Sequence, residues 1–162
     1  MTSLRARLRS EAGGALVELA VALPVVVVIF AATIDFARVF YTSMALTDAA
    51  RAGVQYGALN AANATDIAGM QTTATSATNT TGLTAVASRK CQCATDDGVF
   101  SDTSPVNDCS SLCPGGGGLS PKHLVVTVTV TTTKTFTTVI TGFPSIPSSV
   151  DLTRTATMRV HQ

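Results

Sequence analysis

The sequence predicts an α+β protein in which one long N-terminal helix, with a transmembrane half and an amphipathic half, packs on a small C-terminal antiparallel β-sheet. Three observations predict this fold. An apolar run extends from Ala15 to Ile34, a helical pattern continues beyond it to about residue 57, and an apolar pattern of period two fills residues 123–162.

Composition narrows the possible functions. Hydrophobic residues make up 46% of the 162 residues and charged residues 13%, roughly half the charged share of a soluble domain. The formal net charge is +1, so no strong overall field attracts nucleic acid. These values exclude a disordered chain and argue against a nucleic-acid partner.

The apolar run is long enough to span a membrane. As a helix it would cross about 30 Å of hydrocarbon. Three arginines precede the run: Arg5, Arg7 and Arg9. After the run, the charges of Asp35 and Arg38 cancel. The positive-inside rule therefore predicts a single-pass protein of the cytoplasmic (inner) membrane, with the N-terminus in the cytoplasm and the C-terminal domain extracytoplasmic.

Two other interpretations of the run are a cleavable secretory signal and a buried core helix. The run is longer than the apolar region of a signal peptide, which has about 7–15 residues. It also contains a charged residue, Glu18, and the helical pattern continues past its end. A retained membrane span is the better interpretation.

Glu18 needs an explanation, because a carboxylate costs about 2.5–3.5 kcal/mol at the centre of a bilayer and less near its edge. One interpretation is that its side chain snorkels to the headgroups. The other comes from the preceding residues, since Gly13 and Glu18 have the G-x-x-x-x-E spacing after a basic leader. This arrangement resembles the processing site of type IV prepilins. The resemblance implies cleavage by a prepilin peptidase between Gly13 and Gly14, which leaves Glu18 at the fifth position of the mature chain.

Three stretches extend the resemblance: Gly14–Pro24 (GALVELAVALP), Ile34–Tyr41 (IDFARVFY) and Leu46–Tyr56 (LTDAARAGVQY). Together they resemble the TadE-like family of minor pseudopilins in tight-adherence (Flp-type) pilus systems. The resemblance implies a pilin-like architecture and a structural role in pilus assembly. It also implies other pilins or pseudopilins and the assembly machinery as partners, and a subunit contact through Glu18.

The amphipathic half of the helix is predicted from a stripe of residues at spacings of three, four and seven: Phe36, Phe40, Thr47, Ala50 and Val54. The stripe is expected to pack against the protein's own sheet, with a neighbouring pilin subunit as the alternative. A second, weaker helix is expected from about Asn63 to Ala77, with Asp66 in its first turn.

The four cysteines, Cys91, Cys93, Cys109 and Cys113, are predicted to form two disulfides, because the topology places them in an oxidising compartment. A zinc site is the alternative, but C-x-C with C-x₃-C departs from the usual C-x₂-C pairs. Pairing each cysteine with its near neighbour would strain the rings. The nested and crossed pairings both remain open.

The last part of the chain predicts β-strands. From Leu124 to Val130 the even positions are apolar, Thr127, Thr129 and Thr131 face the other way, and the pattern continues to about Ile140. Phe143–Pro147 interrupts it, and a final strand is expected over Val150–Val160. The predicted domains are a basic cytoplasmic leader (1–13), a transmembrane and amphipathic helix (14–57), and an extracytoplasmic domain (58–162) with a cystine loop (91–118) and a sheet (123–162).

We find no enzyme in the sequence, because neither His123 nor His161 has a nucleophile at a recognisable spacing. No catalytic residue, metal, cofactor or small-molecule substrate is predicted. The favoured function is a minor pseudopilin that is anchored in the membrane before incorporation into a pilus. The alternative is a single-span anchored extracytoplasmic domain that binds a ligand or partner and does not polymerise.

Overall fold

The computed structural model describes residues 2–95, 109, 113, 122–139 and 147–160. The chain divides into two compact units. We call Met1–Phe40 with Thr137–Ser149 the anchor unit, and Tyr41–Phe136 with Val150–Gln162 the sheet unit.

The predicted long helix is confirmed. Helix α1 runs from Thr2 to Ala58 and continues through Pro24. It therefore includes the basic leader as well as the predicted span and the amphipathic half. A single proline is compatible with a continuous helix because neighbouring groups can satisfy the freed carbonyl.

The predicted second helix is present as two short helices, α2 (Ala61–Thr65) and α3 (Ile67–Ser76). Asp66 separates them, with φ −83° and ψ 76°, and its side chain accepts a hydrogen bond from the Gly69 N–H at 2.8 Å. Asp66 is thus the N-cap of α3, a position that favours a short carboxylate because the first N–H groups of a helix lack partners.

The sheet has three antiparallel strands in the order β1-β2-β3: Thr84–Thr95, Lys122–Thr137 and Ser149–Arg159. Strand β1 was not predicted from the sequence, whereas β2 and β3 were. In the β1–β2 register, Cys91 pairs with Val126. Most of the predicted cystine loop (96–108, 110–112 and 114–118) and the interruption at 143–146 lie outside the described residues.

The core of the sheet unit lies between the inner face of β2 and helices α1 and α3. Val128 and Val130 are fully buried, as their period-two pattern predicts. Thr132 continues the same face, also buried, and its hydroxyl donates to the Leu46 carbonyl at 2.9 Å. The three helices and β1 contribute mainly small side chains to this core, with Met70 the largest of them: Ala49, Ala50, Val54, Ala64, Met70, Ala74, Ala87 and Cys91.

The outer face of β2 and β3 carries threonines that pair across the strands. Their hydroxyls lie 2.9–3.2 Å apart in three pairs: Thr129 with Thr157, Thr131 with Thr155, and Thr133 with Thr153. Such cross-strand pairs stabilise a sheet and fix its register.

Candidate membrane anchor and assembly segment

The apolar segment of α1, residues 15–34, is exposed along almost its whole length, and none of its residues is buried. In the part of the chain that the structure describes, one helix, Gly13–Ala58, is long and apolar enough to cross a membrane, and none of its most apolar window is buried. That rules out a core helix for this segment. An exposed apolar surface of this size marks contact with a membrane or with another protein. Its large exposed side chains are Leu16, Val17, Leu19, Val21, Leu23, Val25, Val26, Val27, Val28, Ile29, Phe30 and Ile34.

Two polar side chains lie in the apolar segment. The Thr33 hydroxyl donates to the Ile29 carbonyl at 2.8 Å, so its polarity is satisfied within the helix. Glu18 is exposed, and no hydrogen bond or ion pair joins it to another residue whose side chain the structure describes. Gly14 lies one turn earlier on the same face of the helix, at i−4. Of Thr33 and Glu18, only Glu18 has no partner among the side chains that the structure describes.

The fold does not require glycine at positions 13 and 14. A Cβ placed at either position would meet no described atom within 4 Å, and neither residue has a positive φ. Glycine in a helix interior costs roughly 1 kcal/mol relative to alanine. Packing and backbone conformation among the described residues therefore leave glycine at positions 13 and 14 unexplained.

Asp35 is a buried carboxylate directly after the apolar segment. Its Oδ1 accepts a hydrogen bond from Arg38 Nη1 at 3.1 Å, and its Oδ2 accepts one from the Val139 backbone N–H at 2.8 Å. Both groups belong to the anchor unit. From the sequence we had inferred only that the charges of Asp35 and Arg38 cancel. A bond to a backbone group so distant in sequence leaves no local signal.

The amphipathic stripe divides at the boundary between the two units. In the sheet unit, Ala50 and Val54 are buried, as the stripe predicts. In the anchor unit, Phe36 is 74% exposed and Phe40 is 58% exposed, so the prediction that they pack on the protein's own sheet is wrong. The buried face of α1 within the sheet unit begins at Leu46. Phe36 and Phe40 instead extend the exposed apolar surface of α1.

Two glycines allow α1 to approach α3 closely. A Cβ at Gly53 would lie 2.9 Å from the Met70 carbonyl oxygen and 3.0 Å from the Ala74 Cβ. A Cβ at Gly57 would overlap the Met70 Sδ. The close contact with α3 therefore explains why these two positions of α1 are glycine.

Hydrogen bonds connect the C-terminal end of α1 with the residues at the start of α3. The Tyr56 hydroxyl donates to Asp66 Oδ2 at 2.8 Å, while the Gly69 N–H donates to Oδ1. These two bonds, with the Gly69 N–H contributing most, hold the pKa of Asp66 below its ordinary value because they stabilise the carboxylate. The network joins α1 to the start of α3.

The four cysteines form two crossed disulfides, Cys91–Cys109 and Cys93–Cys113, with Cα–Cα distances of 5.5 and 5.6 Å. Cys91 and Cys93 are buried at alternate positions of β1, so they lie on one face of the strand. All four cysteines are thus used, and no thiolate remains for the alternative zinc site.

We expect the protein purified without reductant to show no free thiol. Each bridge closes a loop of about 20 residues and is expected to stabilise the fold by roughly 3 kcal/mol. Thiol titration of the unfolded, unreduced protein measures this directly. Four reactive thiols, or one bound zinc per chain, would contradict the disulfide assignment and the topology inferred with it.

The structure thus defines a class: a membrane-anchor candidate with one exposed apolar helix and a disulfide-bonded α+β unit. Within that class, residues 13–55 match the family model described as TadE-like protein. This match confirms the resemblance found in the sequence. No curated protein and no solved structure matched the chain.

The TadE-like match covers one part of the molecule. It begins at Gly13, includes Glu18, Asp35 and Gly53, and ends before α2. The matched residues therefore include the exposed apolar segment of α1 and most of the part of α1 that packs in the sheet unit. The sheet and both disulfides lie beyond it.

Proposed function

We propose that the protein is a minor pseudopilin: a membrane-anchored structural subunit that takes part in assembly of a tight-adherence (Flp-type) pilus. The TadE-like match and the single apolar helix fit a pilus-associated, membrane-anchored protein. The proposal rests on the overlap of these two findings: the exposed apolar segment of α1 lies within the residues that match the TadE-like family model.

The proposed role uses the apolar segment twice. Before assembly, lipid covers its side chains, and within a pilus the helices of neighbouring pilins or pseudopilins cover them. Both environments favour the same surface because each removes apolar area from water. The proposed partners are therefore the membrane, other pilin-type subunits, the assembly machinery and a prepilin peptidase.

We propose an orientation with the leader (1–13) in the cytoplasm and the domain from residue 58 on the outer side of the inner membrane, joined by residues 14–57. The arginines of the leader support it through the positive-inside rule. The two disulfides support it independently, since such bonds persist in oxidising compartments.

Processing tests the proposal. We expect the mature chain to begin at Gly14, because cleavage there leaves Glu18 at the fifth position. N-terminal sequencing of the membrane-extracted protein gives the answer. Gly13→Val should block cleavage, whereas Gly14→Ala should still be cleaved. A Cβ at either position would meet no described atom within 4 Å, so the comparison tests processing rather than packing around the new Cβ.

The results separate the two candidate functions. A chain that retains Met1 in cells with an active prepilin peptidase would contradict the pseudopilin proposal. It would favour the anchored domain that binds a partner and does not polymerise, for which the exposed threonine face of β2 and β3 is the available surface. A start near Thr33 would instead indicate a secretory signal.

A further inference from the structure

In the sheet unit, α1 and the turn that follows α3 form a groove of about 430 Å³. Its walls are Tyr41, Met44, Ala45 and Asp48 of α1 and residues 77–80 of the turn. The four helix residues lie on one side of α1, because they are spaced at i, i+3, i+4 and i+7. Tyr41 is 71% exposed and Met44 is 46% exposed. The groove therefore presents apolar side chains beside one carboxylate.

The carboxylate of this groove has no cation beside it. Asp48 is exposed, and no hydrogen bond or ion pair joins it to another residue that the structure describes. Arg51 lies at i+3, a spacing that allows pairing, but no ion pair joins the two side chains. The charge of Asp48 is thus available to a cation from outside the chain.

The sheet unit also has a cation without a carboxylate. Arg154 is exposed on β3, which is an edge strand of the sheet. Its Nη1 donates to the Thr153 carbonyl at 2.8 Å, and its Nη2 donates to the Ser43 hydroxyl at 3.2 Å. Both acceptors are neutral, so no acidic residue in the described part of the chain balances this guanidinium.

The two unbalanced charges lie at the same level along α1. The Thr132 hydroxyl is 2.9 Å from the Leu46 carbonyl oxygen and 3.3 Å from the Arg154 carbonyl oxygen, so Arg154 is level with Leu46. Asp48 is two residues further, about 3 Å along the helix axis and turned by about 200°. Because Leu46 is buried against the sheet, Asp48 faces away from it.

We infer that two copies of this chain dock side by side, with Arg154 of one copy in the groove of the next and its guanidinium paired with Asp48. The inference rests on the proposed membrane anchoring, because two copies in one bilayer have the same direction and depth. Charges at one level then meet while both anchors stay in the membrane. The contact joins two different surfaces, so it can continue from copy to copy.

Crosslinking of the full chain in membranes tests this contact. We would co-express Asp48→Cys and Arg154→Cys chains with different tags and add a short bismaleimide. The native cysteines are in disulfides, so the introduced thiols are the reactive ones. We expect a covalent dimer that carries both tags, about tenfold more abundant than the dimers from either variant alone, because the contact is heterologous.

Gln55→Cys is the matched control for Asp48→Cys. Gln55 is exposed and lies on the same side of α1, seven residues or about 10 Å along the helix from Asp48. It should give no dimer with Arg154→Cys. Equal crosslinking from positions 48 and 55 would overturn the inference, because the contact is then not specific. Absence of the dimer between positions 48 and 154 would overturn it as well.

Charge exchange tests the pairing itself. Asp48→Arg or Arg154→Asp, present in every copy, should reduce co-purification of two differently tagged copies by about tenfold, because like charges then face each other. Both substitutions in one chain should restore it, since the charges are opposite again. Unchanged co-purification of the single variants, or no recovery in the double variant, would overturn the pairing.

N-terminal sequencing of the same membranes separates this inference from the proposed function. A chain that begins at Gly14 but gives no dimer overturns the inference and leaves the proposed function intact. A chain that retains Met1 and gives the dimer supports the contact between anchored copies and contradicts the pseudopilin proposal.

Discussion

Gly53→Ala is expected to destabilise the sheet unit by about 1–3 kcal/mol, the usual cost of inserting a methyl group into a well-packed core. The new Cβ would lie 2.9 Å from the Met70 carbonyl oxygen and 3.0 Å from the Ala74 Cβ. The first of these is a backbone atom, so relief requires α3 as a whole to move. The loss is expected although alanine gains up to roughly 1 kcal/mol over glycine in a helix.

Alanine variants at two other glycines serve as comparisons for the loss of stability expected at Gly53. At Gly57 the new Cβ would overlap the Met70 Sδ, the flexible end of a side chain, so we expect a smaller loss than at Gly53. At Gly14 the new Cβ meets no described atom, so Gly14→Ala should leave the sheet unit unchanged. The predicted order of destabilisation is Gly53, then Gly57, then Gly14.

The measurement is urea unfolding of the full chain in a mild detergent, followed by circular dichroism of the sheet. A lower midpoint with an unchanged slope identifies a loss of stability. Equal midpoints for Gly53→Ala and Gly14→Ala would show that α1 and α3 are not in the tight contact described here.

The parts of the fold that were predicted correctly depend on local periodicity. Strand β2 shows its burial in the sequence, because alternate valines from Val126 to Val130 face the core. Strand β1 lacks this signal. Its inward positions include Ala87 and Cys91, and small residues and cysteines have little β preference of their own. The long β2 strand provides the partner that makes β1 a strand.

The sequence pointed only to those features of the candidate site that lie close together within one helix. Glu18 follows Gly13 and Gly14 closely enough for their spacing to be seen in the sequence. The bond between Asp35 and Val139 joins residues 104 positions apart, and no local pattern indicates it. The exposed Phe36 had the right spacing for a buried stripe but lies outside the sheet unit.

Glu18→Gln is expected to leave membrane insertion intact and to impair docking into the pilus complex. The exposed carboxylate has no partner among the side chains that the structure describes, and it lies within an apolar segment. After cleavage, the new amine of Gly14 is a positive charge at the end of the helix. We propose that the amine and carboxylate of adjacent subunits pair, as the resemblance to pilins implies.

The physical reason is the cost of an unpaired charge in an apolar setting. Pairing offsets part of the desolvation of the carboxylate, and removing one partner of a buried ion pair costs about 3–5 kcal/mol. We therefore expect co-purification with pilus partners to fall by at least about tenfold, which corresponds to roughly 1.4 kcal/mol. Insertion should be unchanged or slightly better, because glutamine carries no charge into the bilayer.

The matched control for Glu18→Gln is Thr33→Val, which removes the other polar side chain of the apolar segment with nearly the same shape. The Thr33 hydroxyl bonds within its own helix, to Ile29, so its loss should leave docking unchanged. The measurement is co-purification of each variant with the pilus components, alongside its level in the membrane fraction. If Glu18→Gln co-purifies as well as Thr33→Val and the unmodified protein, the docking role is refuted. Snorkelling of the carboxylate to the headgroups then explains Glu18, because that role needs no neighbouring subunit.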